Sequence, residues 1–166
     1  MNYLSTPEGS LSGYSLFEPF RNILAFSTTR RVFSGNNPLR FTGERPEVFK
    51  NRQKLAGVLG IDPAQLVFPR QTHSDRVQEV NAIPGDELKD TDALMTRQPG
   101  ICLCVQTADC VPLLFFDPVN KAVAAIHAGW RGTVKRIAAI VLSQMAQSFG
   151  TSPRDVLAAI GPSIGP

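Results

Sequence analysis

The sequence predicts an α/β or α+β fold laid out as a layered sheet, because short apolar runs of strand length alternate with two stretches of helical period. The strand-like runs are clearest at residues 101–105, 111–116, 122–126 and 156–160, and the helical periods fall at 46–59 and 133–149. A length of 166 residues, with 43% hydrophobic and only 19% charged side chains, provides for one domain with a buried core and excludes intrinsic disorder. We therefore expect a single domain over residues 1–166.

In chain order, the first twenty residues mix Ser, Gly, Pro and aromatics without a period, which suits an extended arm or one short strand. Residues 23–29 then form the first convincing strand, and Ser34-Gly35-Asn36-Asn37-Pro38 is turn chemistry. From Pro46 to Leu59 the apolar positions Val48, Leu55, Ala56 and Leu59 recur on a helical face, and Gly60 stands where a C-terminal cap belongs. Residues 65–68 and 76–80 read as strands on either side of a polar stretch.

Ile101-Cys102-Leu103-Cys104-Val105 and Val111-Pro112-Leu113-Leu114-Phe115-Phe116 are almost continuously apolar, which predicts central strands buried on both faces. Residues 117–121 form a turn and 122–126 another strand. Gly129-Trp130-Arg131-Gly132 reads as a tight loop opening a helix over 133–149, with Val134, Ile137, Val141, Met145 and Phe149 on one face and Gly150 after its end. A last strand at 156–160 precedes Gly161-Pro162-Ser163-Ile164-Gly165-Pro166.

The net charge of +3 is scattered along the chain, which favours mild attraction for an anion such as phosphate over a nucleic-acid surface. Cys102, Cys104 and Cys110 are odd in number and crowded within nine positions, a poor basis for disulfides and a sign of a reducing compartment. No leader pattern opens the chain and no apolar run has membrane-spanning length, so the expectation is a soluble, cytoplasmic protein.

The chain has two histidines, His73 and His127, and each lies where an apolar run meets a turn, as does Cys110 between them. Two imidazoles and a thiolate from distant segments suit either a catalytic zinc with an open fourth position or thiolate–imidazole catalysis. The bland readings are a solvated turn histidine, a histidine bonded to a carbonyl, and a small buried cysteine. Cys102 and Cys104 fit the last of these and are left out of the site. Asp109, beside Cys110, can bond an imidazole, meet a substrate hydroxyl or cap a turn. Arg131 is placed for an anion near a helix start, or it covers Trp130. Arg52, beside Asn51 on the first helix, either reaches a phosphate or faces water.

Several motifs together resemble the YfiH family. They are Arg70-Gln71-Thr72-His73-Ser74, Asp92-Ala93-Leu94-Met95-Thr96, Pro99-Gly100, Thr107-Ala108-Asp109-Cys110-Val111-Pro112, His127-Ala128-Gly129-Trp130-Arg131-Gly132 and Ile160-Gly161-Pro162-Ser163-Ile164. That family was long named multicopper polyphenol oxidase or laccase and is described as purine nucleoside phosphorylases. The resemblance runs from about Ile23 to the last residue. It implies a layered sandwich with a mixed β-sheet, similar to the catalytic domain of cytotoxic necrotizing factors, and one zinc held by His73, Cys110 and His127. It further implies phosphorolysis of adenosine, inosine, guanosine and methylthioadenosine to free base and ribose 1-phosphate, with adenosine deamination as a second activity. Phosphate would fall to Arg131 or Arg52, with Asp109 as a further catalytic candidate.

Two departures stand out against the family pattern. The connection after Thr28-Thr29-Arg30 runs through Arg31-Val32-Phe33-Ser34 and is shortened, and the chain stops at Gly165-Pro166 where the family continues with a further strand and helix. The alternatives are a cysteine hydrolase of amide bonds using Cys110, with peptidoglycan-precursor editing as one use of it, or a structural zinc or binding protein. Copper oxidase chemistry is disfavoured because a multicopper site needs more histidines than two.

Overall fold

The computed structural model describes residues 3–6, 9–28 and 40–165. The chain divides into two compact units, residues 1–63 and 64–166. In the first, β1 (Tyr3–Thr6) and β2 (Gly9–Gly13) pair antiparallel, and β3 (Phe26–Ser27) adds to β2, also antiparallel. The opening segment is thus two paired strands rather than an arm or one strand, since its Ser- and Gly-rich composition hides the alternation that marks a hairpin. Of the strand expected over 23–29, the described residues 23–28 form strand only at β3. The turn at 34–38 and the shortened connection at 31–34 lie outside the described residues.

Helix α1 (Pro46–Leu59) has the bounds its sequence period predicts, with proline in its first turn and Gly60 in the left-handed conformation at φ 66°. The Gly60 amide reaches back to the carbonyl oxygens of Ala56 and Gly57, and Val48, Leu55 and Ala56 are buried.

The second unit is built on a five-stranded mixed sheet. Its strands are β5 (Val77–Glu79), β6 (Ala93–Thr96), β8 (Val111–Asp117), β9 (Ala122–Ala128) and β10 (Leu157–Ile160), ordered β10-β8-β9-β6-β5. Every pairing is antiparallel except β5 with β6. A separate parallel pair joins β4 (Leu66–Val67) to β7 (Cys102–Leu103).

Both faces of the sheet are covered. On one, Ile137, Val141, Met145 and Phe149 of helix α3 (Ile137–Phe149) pack against Ala93, Met95, Phe115, Ala124 and Ile126. On the other, Leu94 meets Val67 and Val80. Because successive side chains of a strand point to opposite faces, β6 divides between the two cores and all four of its residues are buried. The layered α/β arrangement is therefore as expected.

Three expectations are corrected here. The segment 129–132 is not a loop but the start of a short helix, α2 (Trp130–Val134), and the helix expected over 133–149 breaks at Arg136, which takes φ 63°. Val134 consequently leaves the core face and is 75% exposed. The run at 101–105 is not a central strand, because its two paired residues meet only β4 and stay half-buried. Strand β6 has no clear strand signal in the sequence, since Ala, Leu and Met favour helix at least as much as strand.

Candidate metal centre

Three segments of the second unit deliver His73, Cys110 and His127. Strands β8 and β9 pair with Pro112 opposite His127 and Val111 opposite Ala128, so Cys110, just before β8, arrives beside the far end of β9. His127 is the penultimate residue of β9 and is 3% exposed. His73 comes from the loop ahead of β5, in the left-handed conformation at φ 59°. The imidazole rings stand edge to face with centroids 4.9 Å apart, and one nitrogen or sulfur atom from each of the three side chains lies within 4.8 Å of the others.

Gly129 closes over this cluster. A Cβ placed there would lie 2.9 Å from His73 Cδ2, 3.3 Å from Cys110 Sγ and 3.6 Å from His127 Cε1. Gly132 allows a similar close approach on the next turn, where a Cβ would meet the Ser74 carbonyl oxygen at 2.9 Å. The two glycines let α2 lie directly against the loop that carries His73.

Behind the cluster stands Asp92, fully buried and immediately before β6. Its Oδ1 accepts from the His73 amide at 3.0 Å and faces His127 Nδ1 at 2.8 Å. Its Oδ2 accepts from the Ser74 amide at 2.7 Å, the Ser74 hydroxyl at 2.6 Å and the Thr72 amide at 3.2 Å. Burial works against the charge on this carboxyl, but the bonds from Ser74, His127 and Thr72 outweigh it and hold the group below the usual carboxylate range. Sequence reasoning places Asp92 within a motif and gives it no role. The available signal is an acidic residue heading an apolar run that proves wholly buried.

The exposed side of His73 opens on a cavity of about 360 Å³ lined by Thr72, His73, Ser74, Trp130, Arg131, Val134 and Lys135. Arg131 lies over the Trp130 ring at 5.3 Å, so it does cover that ring, and it is exposed and also lines the cavity. Lys135 bonds Asp75 at 3.0 Å, tying α2 to the loop after His73. Asp109 is exposed beside Cys110, and its backbone carbonyl accepts from the Ile164 amide at 3.2 Å. Arg52 belongs to the first unit, where its Nε donates to the Phe41 carbonyl at 2.6 Å.

A family model described as multi-copper polyphenol oxidoreductase laccase matches residues 27–166. The chain belongs to this laccase-type family. A purine nucleoside phosphorylase of Bacteroides thetaiotaomicron is 41% identical over 174 residues, covering 96% of this chain and 64% of the relative. An adenosine deaminase from an unknown prokaryotic organism is 44% identical over 155 residues, covering 84% of this chain and 59% of the relative. The crystal structure of YlmD from Geobacillus stearothermophilus superposes with a TM-score of 0.84 at 28% identity, covering 98% of this chain and 65% of that one. The chain thus spans somewhat under two thirds of the length of these laccase-type relatives.

Proposed function

We propose that the chain carries the zinc centre of a purine nucleoside phosphorylase, with His73, Cys110 and His127 as the three protein ligands. The observation that carries this reading is the cluster itself, two imidazoles and a thiol gathered within 4.8 Å beside an open cavity. Two nitrogens and one sulfur suit zinc, three protein ligands leave a fourth position for substrate or water, and Gly129 keeps side-chain bulk off the cluster. Zinc would supply Lewis acidity at the exposed side of His73. The relatives' names supply the substrate class, a purine nucleoside with phosphate, and adenosine deamination as a second activity.

The cavity residues divide the remaining work. Phosphorolysis breaks the bond between base nitrogen and ribose C1′, forms a bond from phosphate oxygen to C1′, and returns a proton to the departing base. Arg131 is assigned to phosphate, since it lines the cavity, in preference to Arg52, whose Nε is committed to Phe41. Asp109, exposed beside Cys110, is the group assigned to proton handling. Residues 1–166 act as one domain of a cytoplasmic enzyme in this reading.

Elemental analysis of the purified chain, run with phosphate-dependent release of adenine from adenosine, tests the reading. About one zinc per chain with formation of ribose 1-phosphate supports it, and a metal-free chain without phosphorolysis overturns it. The series Asp92, His127, Cys110 favours one other reading, because a carboxylate bonded to an imidazole that has a thiol within 4.8 Å also describes a cysteine hydrolase. A metal-free chain whose Cys110 alkylates readily and which cleaves an amide bond would establish that alternative.

A further inference from the structure

We propose that Asp92 is the positioning residue of the metal centre, one buried carboxylate that fixes both the backbone carrying His73 and the ring tautomer of His127. The inference rests on reading His73, Cys110 and His127 as ligands and adds to it how two of them are aimed.

Three consecutive amides, of Thr72, His73 and Ser74, converge on the Asp92 carboxylate at 3.2, 3.0 and 2.7 Å. Successive N–H groups around a residue of left-handed conformation form an anion-binding concavity, and here the chain fills that concavity with its own side chain. A φ of 59° is strained for His73 as a non-glycine residue. The carboxylate is what offsets that strain, so removing its charge frees the His73 loop to relax.

The same carboxylate faces His127. An ionised carboxylate only accepts hydrogen bonds, so the ring nitrogen 2.8 Å from Oδ1 is the one that carries hydrogen. The hydrogen on Nδ1 leaves Nε2 as the bare nitrogen and therefore the donor available to a metal. The His127 amide also donates to the Asp92 backbone carbonyl at 2.8 Å, so ring and backbone are registered to one residue. The competing explanation is a purely structural cap on the turn at 72–74, which would make no demand on the His127 tautomer.

With only two histidines in the chain, imidazole nitrogen NMR of the metal-free protein resolves the question directly. Among the neutral imidazoles, His127 is expected as the Nδ1–H tautomer with Nε2 bare. A dominant Nε2–H tautomer at His127 overturns the proposal, and this measurement needs no variant. Asp92→Asn is expected to lower zinc affinity by about 10–100-fold and to mix the His127 tautomers, whereas Ser74→Ala, which removes only the hydroxyl bonded to Oδ2, is expected to leave the tautomer single. Zinc affinity unchanged in Asp92→Asn overturns the positioning role while leaving the ligands standing. Absence of zinc binding in the unaltered chain overturns the ligand reading itself, and the two failures are thereby told apart.

Discussion

A hydrogen atom's worth of space decides whether the three candidate ligands can meet. Gly129 needs no positive φ, so its requirement for glycine is one of contact alone: a methyl there would press on His73 Cδ2 at 2.9 Å and on Cys110 Sγ at 3.3 Å. Overpacking of this kind costs about 1–3 kcal/mol, and here it falls on the cluster. Gly129→Ala is therefore expected to weaken zinc binding by roughly 5–150-fold, the equivalent of that cost, with little change in circular dichroism. Gly85→Ala serves as the control, since nothing lies within 4 Å of a Cβ at that position. Equal zinc affinity in the two variants would sink the argument. At this scale the sequence is legible for His73, Cys110 and His127, because rare nitrogen and sulfur side chains at the ends of apolar runs announce themselves. Asp92 is not legible, as a carboxylate is common and only the fold shows that it is buried among amides.

Between residues and fold, the elements that sequence periodicity captures are those with a strong local signal. Helix α1 has both a proline at its start and a glycine cap, whereas the break between α2 and α3 has neither, only Arg136 at φ 63°. A non-glycine residue in that conformation costs about 1–2 kcal/mol, partly balanced by the greater unfolded-state freedom of glycine. Arg136→Gly is expected to stabilise the chain by about 0.5–1 kcal/mol, read as a rise of a few degrees in thermal midpoint. A fall in midpoint would show that Arg136 makes a compensating contact.

The β8–β9 turn yields a second test. Asp117 is fully buried, and burial opposes its charge, but the Asn120 side chain and the Asn120 and Val119 amides bond the carboxylate and hold its pKa below 3.8. A depressed folded-state value means the contribution is fully present above the unfolded value near 3.8 and is lost as pH falls through the folded one. Asp117→Asn should accordingly flatten the acid limb of the stability curve below about pH 4 while lowering stability near neutrality. An acid limb as steep as that of the unaltered chain would assign the loss to other carboxylates.

For the molecule as a whole, layered architecture can be read from alternation of strand and helix, but the gathering of the site cannot. His73, Cys110 and His127 are brought together by strand order and by the register that sets Pro112 opposite His127, and no local pattern encodes either. The same long-range gathering would make metal binding a stability statement. All three residues lie in residues 64–166, so zinc bound by the native state alone would stabilise the fold that gathers them, by about 2.7 kcal/mol when present at a hundred times its dissociation constant. Hydrogen exchange should then show added protection at the amides of β8, β9 and residues 70–76 on zinc addition, reversed by a chelator. Cys110→Ala should abolish the gain, because two imidazoles alone lose both a strong ligand and the charge that neutralises the ion. Protection retained in Cys110→Ala would mean that zinc acts elsewhere on the chain.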